Sequence, residues 1–139
     1  MRRVLAIDFG ERRIGIAVSD PLQIIATPLN TLNIRSLDDG VSQVLEICRE
    51  YTPERIIVGY PIGISGRKTA QTLRVESFMD KLRSLQDIPI LQWDERYTSM
   101  EALDRLHEQG IKIRSNKDKI DQMAARIILQ EYLDTRITE

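Results

Sequence analysis

The chain opens with an apolar run that ends on an acid, Val4-Leu5-Ala6-Ile7-Asp8-Phe9-Gly10. A run of this length without polar alternation predicts a strand buried on both faces, over residues 3–9. Leaving the Asp8 carboxylate dry and unpaired would cost several kcal/mol or force it to take a proton. The stretch therefore predicts a strand covered on both faces and, at its end, an acid that needs a partner.

Two further acids occupy comparable positions. Glu95 ends a second strand-like run, 90–95, and Asp121 lies on the inward face of the last predicted helix. That face is completed at helical spacing by Ala124, Ala125, Ile128 and Tyr132. Three converging carboxylates would repel by roughly 4 kcal/mol per pair at about 4 Å and an effective dielectric near 20. Because a divalent cation removes this cost, the sequence predicts a metal site.

Each acid alone has a simpler interpretation. Asp8 could cap a turn in which Gly10 supplies a positive φ. Glu95 could form a surface ion pair with the next residue, worth about 0–1 kcal/mol. Asp121 could satisfy the dipole of its own helix. Their joint placement favours the metal site, although periodicity alone does not choose between Glu95 and Asp94, which point to opposite faces of a continuing strand.

Composition places few limits on function. The 139 residues, 42% hydrophobic and 29% charged, predict one globular domain over 1–139. No apolar run approaches the roughly 20 residues that span a bilayer, and the start is too short for a signal peptide. The single cysteine, Cys48, is expected to be buried filler, and the cytoplasm is the expected compartment. With a net charge of −1, any polyanion must be held by a local basic patch.

Hydrophobic periodicity predicts strands over 3–9, 13–19, 24–33, 56–59 and 90–94, and helices over 36–52, 69–86, 98–109 and 118–134. Leu85 is expected to face inward with Val75, Phe78, Met79 and Leu82. The order predicts an α/β fold with a five-stranded mixed sheet, three antiparallel strands then two parallel, and helices on both faces. Asp8 and Glu95 would then end two parallel strands at the edge where such sheets bind ligands.

A glycine-bearing loop, residues 59–68, follows the third parallel strand. Its backbone N–H groups could meet a phosphate, with Arg67 and Lys68 adding charge, although an ordinary connecting loop explains the sequence equally well. Further basic residues stand next to the acids: Arg12, Arg13, Arg96, Lys117 and Lys119. Acids for a metal and bases for phosphate oxygens suit phosphodiester hydrolysis, although each base alone is compatible with a solvated surface charge. His107 is expected to be exposed, and Trp93 to lie in the core.

With these residues in view, the chain resembles the YqgF family, described both as Holliday-junction resolvases and as pre-16S rRNA nucleases. The likeness covers nearly the whole length. The motifs that carry it are 6–10 with 14–21, 57–61 with Gly66, 93–99, and 120–125. Each motif is weak alone, but the four in this order are specific.

The resemblance implies an RNase H-like fold and a nuclease that uses Mg²⁺ or Mn²⁺, with Asp8, Glu95 and Asp121 as catalytic metal ligands. From the glycine-bearing loop and the basic residues beside the acids, we expect substrate contacts at Arg13, Gly59, Gly66, Arg67, Arg96 and Lys117. The implied partner is nucleic acid, either the 5′ end of precursor 16S rRNA or branched DNA, with no membrane. The sequence is compatible with a monomer or a homodimer.

The chain departs from the family pattern at two places. Asp118 stands where the family often has glycine, and Arg67-Lys68 stands where small or acidic residues are common. Two other functions share the opening D-x-G turn or the scaffold. An actin-like or sugar-kinase-like ATPase would need a second half that 139 residues do not provide. A non-catalytic ribosome-assembly or transcription factor would not need the acidic trio.

Overall fold

The computed structural model describes residues 2–62, 65–94 and 117–137, and side chains within 2–62, 65–94 and 123–135. Its elements in chain order are β1 (Val4–Phe9), β2 (Arg13–Ser19), β3 (Ala26–Pro28), β4 (Leu32–Asn33), α1 (Leu37–Tyr51), β5 (Arg55–Tyr60), α2 (Ala70–Leu85), β6 (Ile90–Asp94) and α3 (Lys117–Ile137). The helix predicted over 98–109 and His107 lie outside the described residues.

One sheet organises these strands, in the spatial order β3-β2-β1-β5-β6, with β4 also paired to β2. β1 pairs antiparallel with β2 and parallel with β5, and β5 pairs parallel with β6. The predicted mixed sheet is therefore confirmed, with β1 at its centre. Because both of its neighbours are strands and both of its faces are covered, β1 reads as a continuous apolar run.

The strand predicted over 24–33 is wrong as one element, because the structure divides it into β3 and β4. The Asp20 carboxylate accepts the N–H groups of Ile24 (2.7 Å) and Ile25 (2.9 Å), so these residues belong to a turn. β3 then ends at Pro28, and pairing with β2 resumes only at Leu32, opposite Ile14. Partial alternation in the sequence did not show this interruption.

One face of the sheet is covered by α1 and α2. Its core includes Leu5, Ile7, Phe9 and the α2 side chains Phe78 and Leu82. The rings of Phe9 and Phe78 stack with centroids 4.5 Å apart. The inward position predicted for Leu85 is wrong, since its side chain is 54% exposed. It is the last residue of α2.

The opposite face is covered by α3. Val4 and Ala6 of β1 contact a cluster that includes Ala125, Ile128 and Tyr132. The expected face of the last helix is confirmed by Ala124, Ala125, Ile128 and Tyr132, all 4% exposed or less. Small alanine side chains allow this helix to approach the sheet closely. Trp93 is half-buried against the same cluster and meets the Tyr132 ring edge-on at 6.0 Å.

Candidate active site

Asp8 lies at the end of the central strand, on the face covered by α3. Alternation along β1 places it with Val4 and Ala6, and not with Leu5, Ile7 and Phe9 of the other core. The residue is half-buried and pairs with Gly15 of the neighbouring strand β2. A half-buried carboxylate at a strand end is suited to holding a cation, because it is partly desolvated but still accessible from the edge.

The turn after Asp8 requires Gly10 for a different reason from the one expected. Gly10 is not among the glycines with positive φ in the described chain, so the positive-φ interpretation is wrong. Its N–H donates to the Arg13 carbonyl at 2.8 Å. A Cβ built at position 10 would lie 2.6 Å from that oxygen. Glycine is needed because two backbone segments approach too closely for any side chain.

The last turns of α3 are held near the start of β1 and β5. Tyr132 accepts a hydrogen bond from Arg55, the first residue of β5, which pairs with Val4 at the start of β1. From position 132 back to Asp121 the helix rises about 16 Å, whereas β1 advances about 13 Å from Val4 to Asp8. The helix is therefore long enough for its first turn to reach the level of Asp8. Only the backbone of Asp121 is described.

The third predicted acid, Glu95, lies outside the described residues, as does Arg96. The strand before it is described. Trp93 shares the α3 face, whereas Ile90 packs on the other core. Asp94 is exposed and ends β6 opposite Tyr60. Among the side chains that the structure describes, no group of three or more His, Cys, Asp or Glu is placed to hold a metal.

The predicted basic residues differ in their surroundings. Arg13 is half-buried on the same face of the sheet as Asp8, two residues before Gly15 on β2. Arg67 is exposed, next to Gly66 at φ +84°. Gly59 is buried within β5. Of Lys117 only the backbone is described. The structure therefore brings Arg13 near the Asp8 strand end and leaves Arg67 open to solvent in the following loop.

Lys68, in contrast, already has an anionic partner. Its Nζ donates to the Glu76 carboxylate at 2.9 Å, and the Tyr60 hydroxyl donates to the same oxygen at 2.9 Å. The Lys68 hydrogen bond, followed by the one from Tyr60, lowers the pKa of Glu76. In return, Glu76 raises the pKa of Lys68. This pair fixes the glycine-bearing loop against α2, so Lys68 is less available to a phosphate than Arg67.

Sequence reasoning did not identify Gln71, which contacts the strand end that carries Asp8. Its Nε2 donates to the Phe9 carbonyl at 2.5 Å, and its Oε1 accepts from Arg74 Nε at 3.0 Å. No sequence signal could have found it, because a glutamine in the first turn of a helix usually faces solvent. Only the packing of α2 beside β1 brings it to Phe9.

A shallow cleft of about 390 Å³ lies at the opposite edge of the sheet, where Cys48, Glu54 and Asp87 contribute to its wall. None of the predicted site residues lines it. Burial raises the pKa of the Cys48 thiol to about 11, so this cysteine is a protonated core residue, as expected. This cleft therefore lies away from the predicted site residues. None of the described helices has the length and apolarity that crossing a bilayer requires.

Comparison with known proteins gives consistent results. A sequence profile of the RuvX family, described as "Holliday junction resolvase", matches residues 2–135. A relative from Dictyoglomus turgidum named "Putative pre-16S rRNA nuclease" is 42% identical over 133 residues, covering 96% of this chain and 94% of that protein. A relative of the same name from Roseiflexus sp. (strain RS-1) is 40% identical over 134 residues, covering 96% of this chain and 95% of that one.

Among solved structures, T. thermophilus RuvC in complex with Holliday junction substrate superposes with a TM-score of 0.64. The sequences are 15% identical, and the match covers 99% of this chain and 97% of that one. At this identity the likeness establishes the fold alone, and it confirms the predicted RNase H-like architecture.

Proposed function

Because the chain belongs to the RuvX family and is a nuclease, a hydrolase of phosphodiester bonds, we propose that Asp8 anchors the divalent metal of its active site. The observation that carries this proposal is the position of Asp8. It is half-buried at the end of the central strand, on the face that α3 covers. Near-complete coverage of the relatives favours a nuclease over the ATPase alternative.

The residues at this edge fit a hard cation. The proposed ligands are carboxylates, and the only cysteine is at the opposite edge of the sheet. An all-oxygen donor set favours Mg²⁺ or Mn²⁺ over softer metals. Asp121 and Glu95 would complete the set. Side chains alternate between the two faces of a strand, and Trp93 of β6 lies on the α3 face. A continuing strand would place Glu95 on that face and Asp94 on the other, which supports Glu95 as the ligand.

A bound divalent cation would supply positive charge that activates an attacking water and stabilises the leaving oxygen. The chain's own residues would orient the substrate. Arg13 lies on the face of Asp8 and would contact the scissile phosphate, while Arg67 would contact a phosphate further along the strand. Arg96, Lys117 and the backbone at Gly59 and Gly66 would add further contacts to the backbone of the nucleic acid.

The substrate favoured by the names of the relatives is the 5′ end of precursor 16S rRNA. The family description favours a second candidate, four-way junction DNA. Both present the same phosphodiester chemistry, so the Asp8 edge serves either. We also expect a cytoplasmic location and either a monomer or a homodimer.

The decisive experiment replaces Asp8 by Asn. Asp8→Asn keeps the shape of the side chain but removes the charge, so we expect Mn²⁺-dependent cleavage to be lost while the thermal midpoint changes little. Asp94→Asn is the matched control, because Asp94 is an exposed acid on the face of β6 opposite to the proposed site. We expect the Asp94→Asn variant to keep its cleavage activity. Full activity in Asp8→Asn would overturn the proposed site.

A second measurement separates the substrates. The wild-type protein with Mn²⁺ is offered equal amounts of labelled pre-16S 5′ RNA and four-way DNA. We expect faster cleavage of the RNA, and exclusive cleavage of the junction would favour the resolvase. A folded wild-type protein that binds no Mn²⁺ in calorimetry and cleaves neither substrate would favour a non-catalytic ribosome-assembly factor.

A further inference from the structure

Gln71 stands where the sheet cannot supply a hydrogen-bond donor. The last parallel pair between β1 and β5 is Ile7 with Val58, so the Gly59 N–H serves the Ile7 carbonyl. The next N–H on that side of β5 would come two residues later, from Pro61. Proline has no N–H. The hydrogen-bond ladder between β1 and β5 therefore supplies no backbone donor to the carbonyl of Phe9, the residue that follows Asp8.

The Phe9 carbonyl faces this missing donor. In the β1–β2 hairpin, Gly10 and Arg13 form a hydrogen-bonded pair, so the adjacent Phe9–Ile14 pair does not exchange bonds. The Phe9 carbonyl thus points away from β2 and toward β5. Phe9 is 4% exposed, so water does not readily replace the absent partner. A buried carbonyl in this position needs a donor from outside the sheet.

Gln71 supplies that donor and is itself held in place. Its Nε2 bonds to the Phe9 carbonyl at 2.5 Å, and Arg74 Nε bonds to its Oε1 at 3.0 Å, which orients the amide. The same helical turn is fixed by Thr72, whose hydroxyl donates to the Pro61 carbonyl. The first turn of α2 thus takes over from β5 where that strand leaves β1.

We propose that Gln71 is a positioning residue for Asp8, locking the end of β1 so that the Asp8 carboxylate is held ready for a divalent cation. This inference rests on the proposed function of Asp8. Asp8 is paired with Gly15 of β2 on one side, and the carbonyl of the next residue, Phe9, is bonded to Gln71 on the other. Loss of the Gln71 bond would loosen the strand end without removing any metal ligand.

The test compares Gln71→Leu with Gln86→Leu. Gln86, at the other end of α2, also bonds backbone carbonyls through Nε2, those of Leu82 and Ile88. Both variants lose a side-chain bond to the backbone, so both should lower the thermal midpoint. We expect Gln71→Leu alone to weaken Mn²⁺ binding in calorimetry, by about tenfold, the lower end for residues that orient a metal ligand. Its kcat should fall while KM for the nucleic acid is unchanged.

A Gln71→Leu variant with wild-type Mn²⁺ affinity and kcat, but a lowered thermal midpoint, would overturn the proposal by showing a purely structural role. If that variant does not fold, Arg74→Met provides the test, since it keeps the Gln71 donor and removes only its orienting bond. Amide exchange at Gly10 gives a readout that needs no metal, and it should accelerate in Gln71→Leu only. A wild-type protein that binds no Mn²⁺ would instead overturn the proposed function.

Discussion

Gly10 shows how one backbone contact fixes the strand end that carries Asp8. The Arg13 carbonyl occupies the space that a Cβ at position 10 would need. The contact is with backbone, which cannot move aside as the tip of a flexible side chain can. Glycine is therefore required because the Arg13 carbonyl lies too close for a Cβ, and any other residue must push the hairpin open.

We expect Gly10→Ala to destabilise the protein by about 1–3 kcal/mol, the usual cost of forcing an extra methyl into a packed site. Urea unfolding measures this change. Gly40→Ala is the matched control, because its Cβ would meet only side-chain tips, Ile14 Cδ1 at 3.1 Å and Ile34 Cδ1 at 3.3 Å. Alanine also favours the α1 helix in which Gly40 lies. Equal losses in the two variants would contradict the backbone explanation.

At the scale of elements, α1 and α2 both begin near the carboxyl edge of the sheet and both have a side-chain cap. Ser36 accepts the Asp39 N–H, and Thr69 accepts the Thr72 N–H while the Thr72 hydroxyl accepts the Thr69 N–H. The two caps differ in what they support. Only the first turn of α2 carries Gln71 and the contacts that hold Phe9 and Pro61.

Removing either cap should cost similar stability but have different effects on activity. Ser36→Ala and Thr69→Ala should each lower the unfolding free energy by about 0.5–2 kcal/mol. Because only Thr69 caps the turn that contacts the strand of Asp8, only Thr69→Ala should also lower the Mn²⁺-dependent cleavage rate. Urea unfolding and a cleavage assay on the same preparations provide the comparison. Equal rates in both variants would show that the two helices support the site equally.

For the whole molecule, surface carboxylates make the fold sensitive to acid. The pKa of Asp20 is lowered by the N–H of Ile25 and then that of Ile24, and the pKa of Asp39 is lowered chiefly by the N–H of Arg35. Hydrogen bonds from Lys68 and then Tyr60 lower the pKa of Glu76. Each group is a stronger acid in the folded chain, so its contribution to stability is present above its ordinary pKa and disappears as the pH falls through the folded value.

We therefore expect the urea midpoint to fall as the pH drops below the ordinary values of 3.8 for the aspartates and 4.5 for Glu76. Glu76→Gln should be less stable than wild type at pH ~7, with the difference shrinking as Glu76 of the wild type is protonated in acid. Urea titrations across this pH range measure both curves. A constant difference between the two proteins would mean that the Lys68–Glu76 pair contributes nothing to stability.

The sequence alone determined the mixed sheet and the burial of β1 on both faces, because periodicity and turn residues act over a few neighbouring positions. It also marked Asp8 and the inward face of α3, since an acid in an apolar run and apolar residues at i+3, i+4 and i+7 from Asp121 are local signals. It did not show the split of the strand predicted over 24–33 or the exposure of Leu85. Those outcomes depend on a turn bonded to Asp20 and on the position of Leu85 at the end of α2.

Only the tertiary structure decided that Gln71 serves the Phe9 carbonyl. Sixty-two positions separate the two residues along the chain, and the contact arises because Pro61 lacks a donor at the point where α2 begins. The same holds for Gly10. Glycine is needed there because a backbone oxygen lies close by, and not because the backbone adopts a positive φ. Long-range contacts of this kind depend on the packing of complete elements, which a single sequence specifies but does not display.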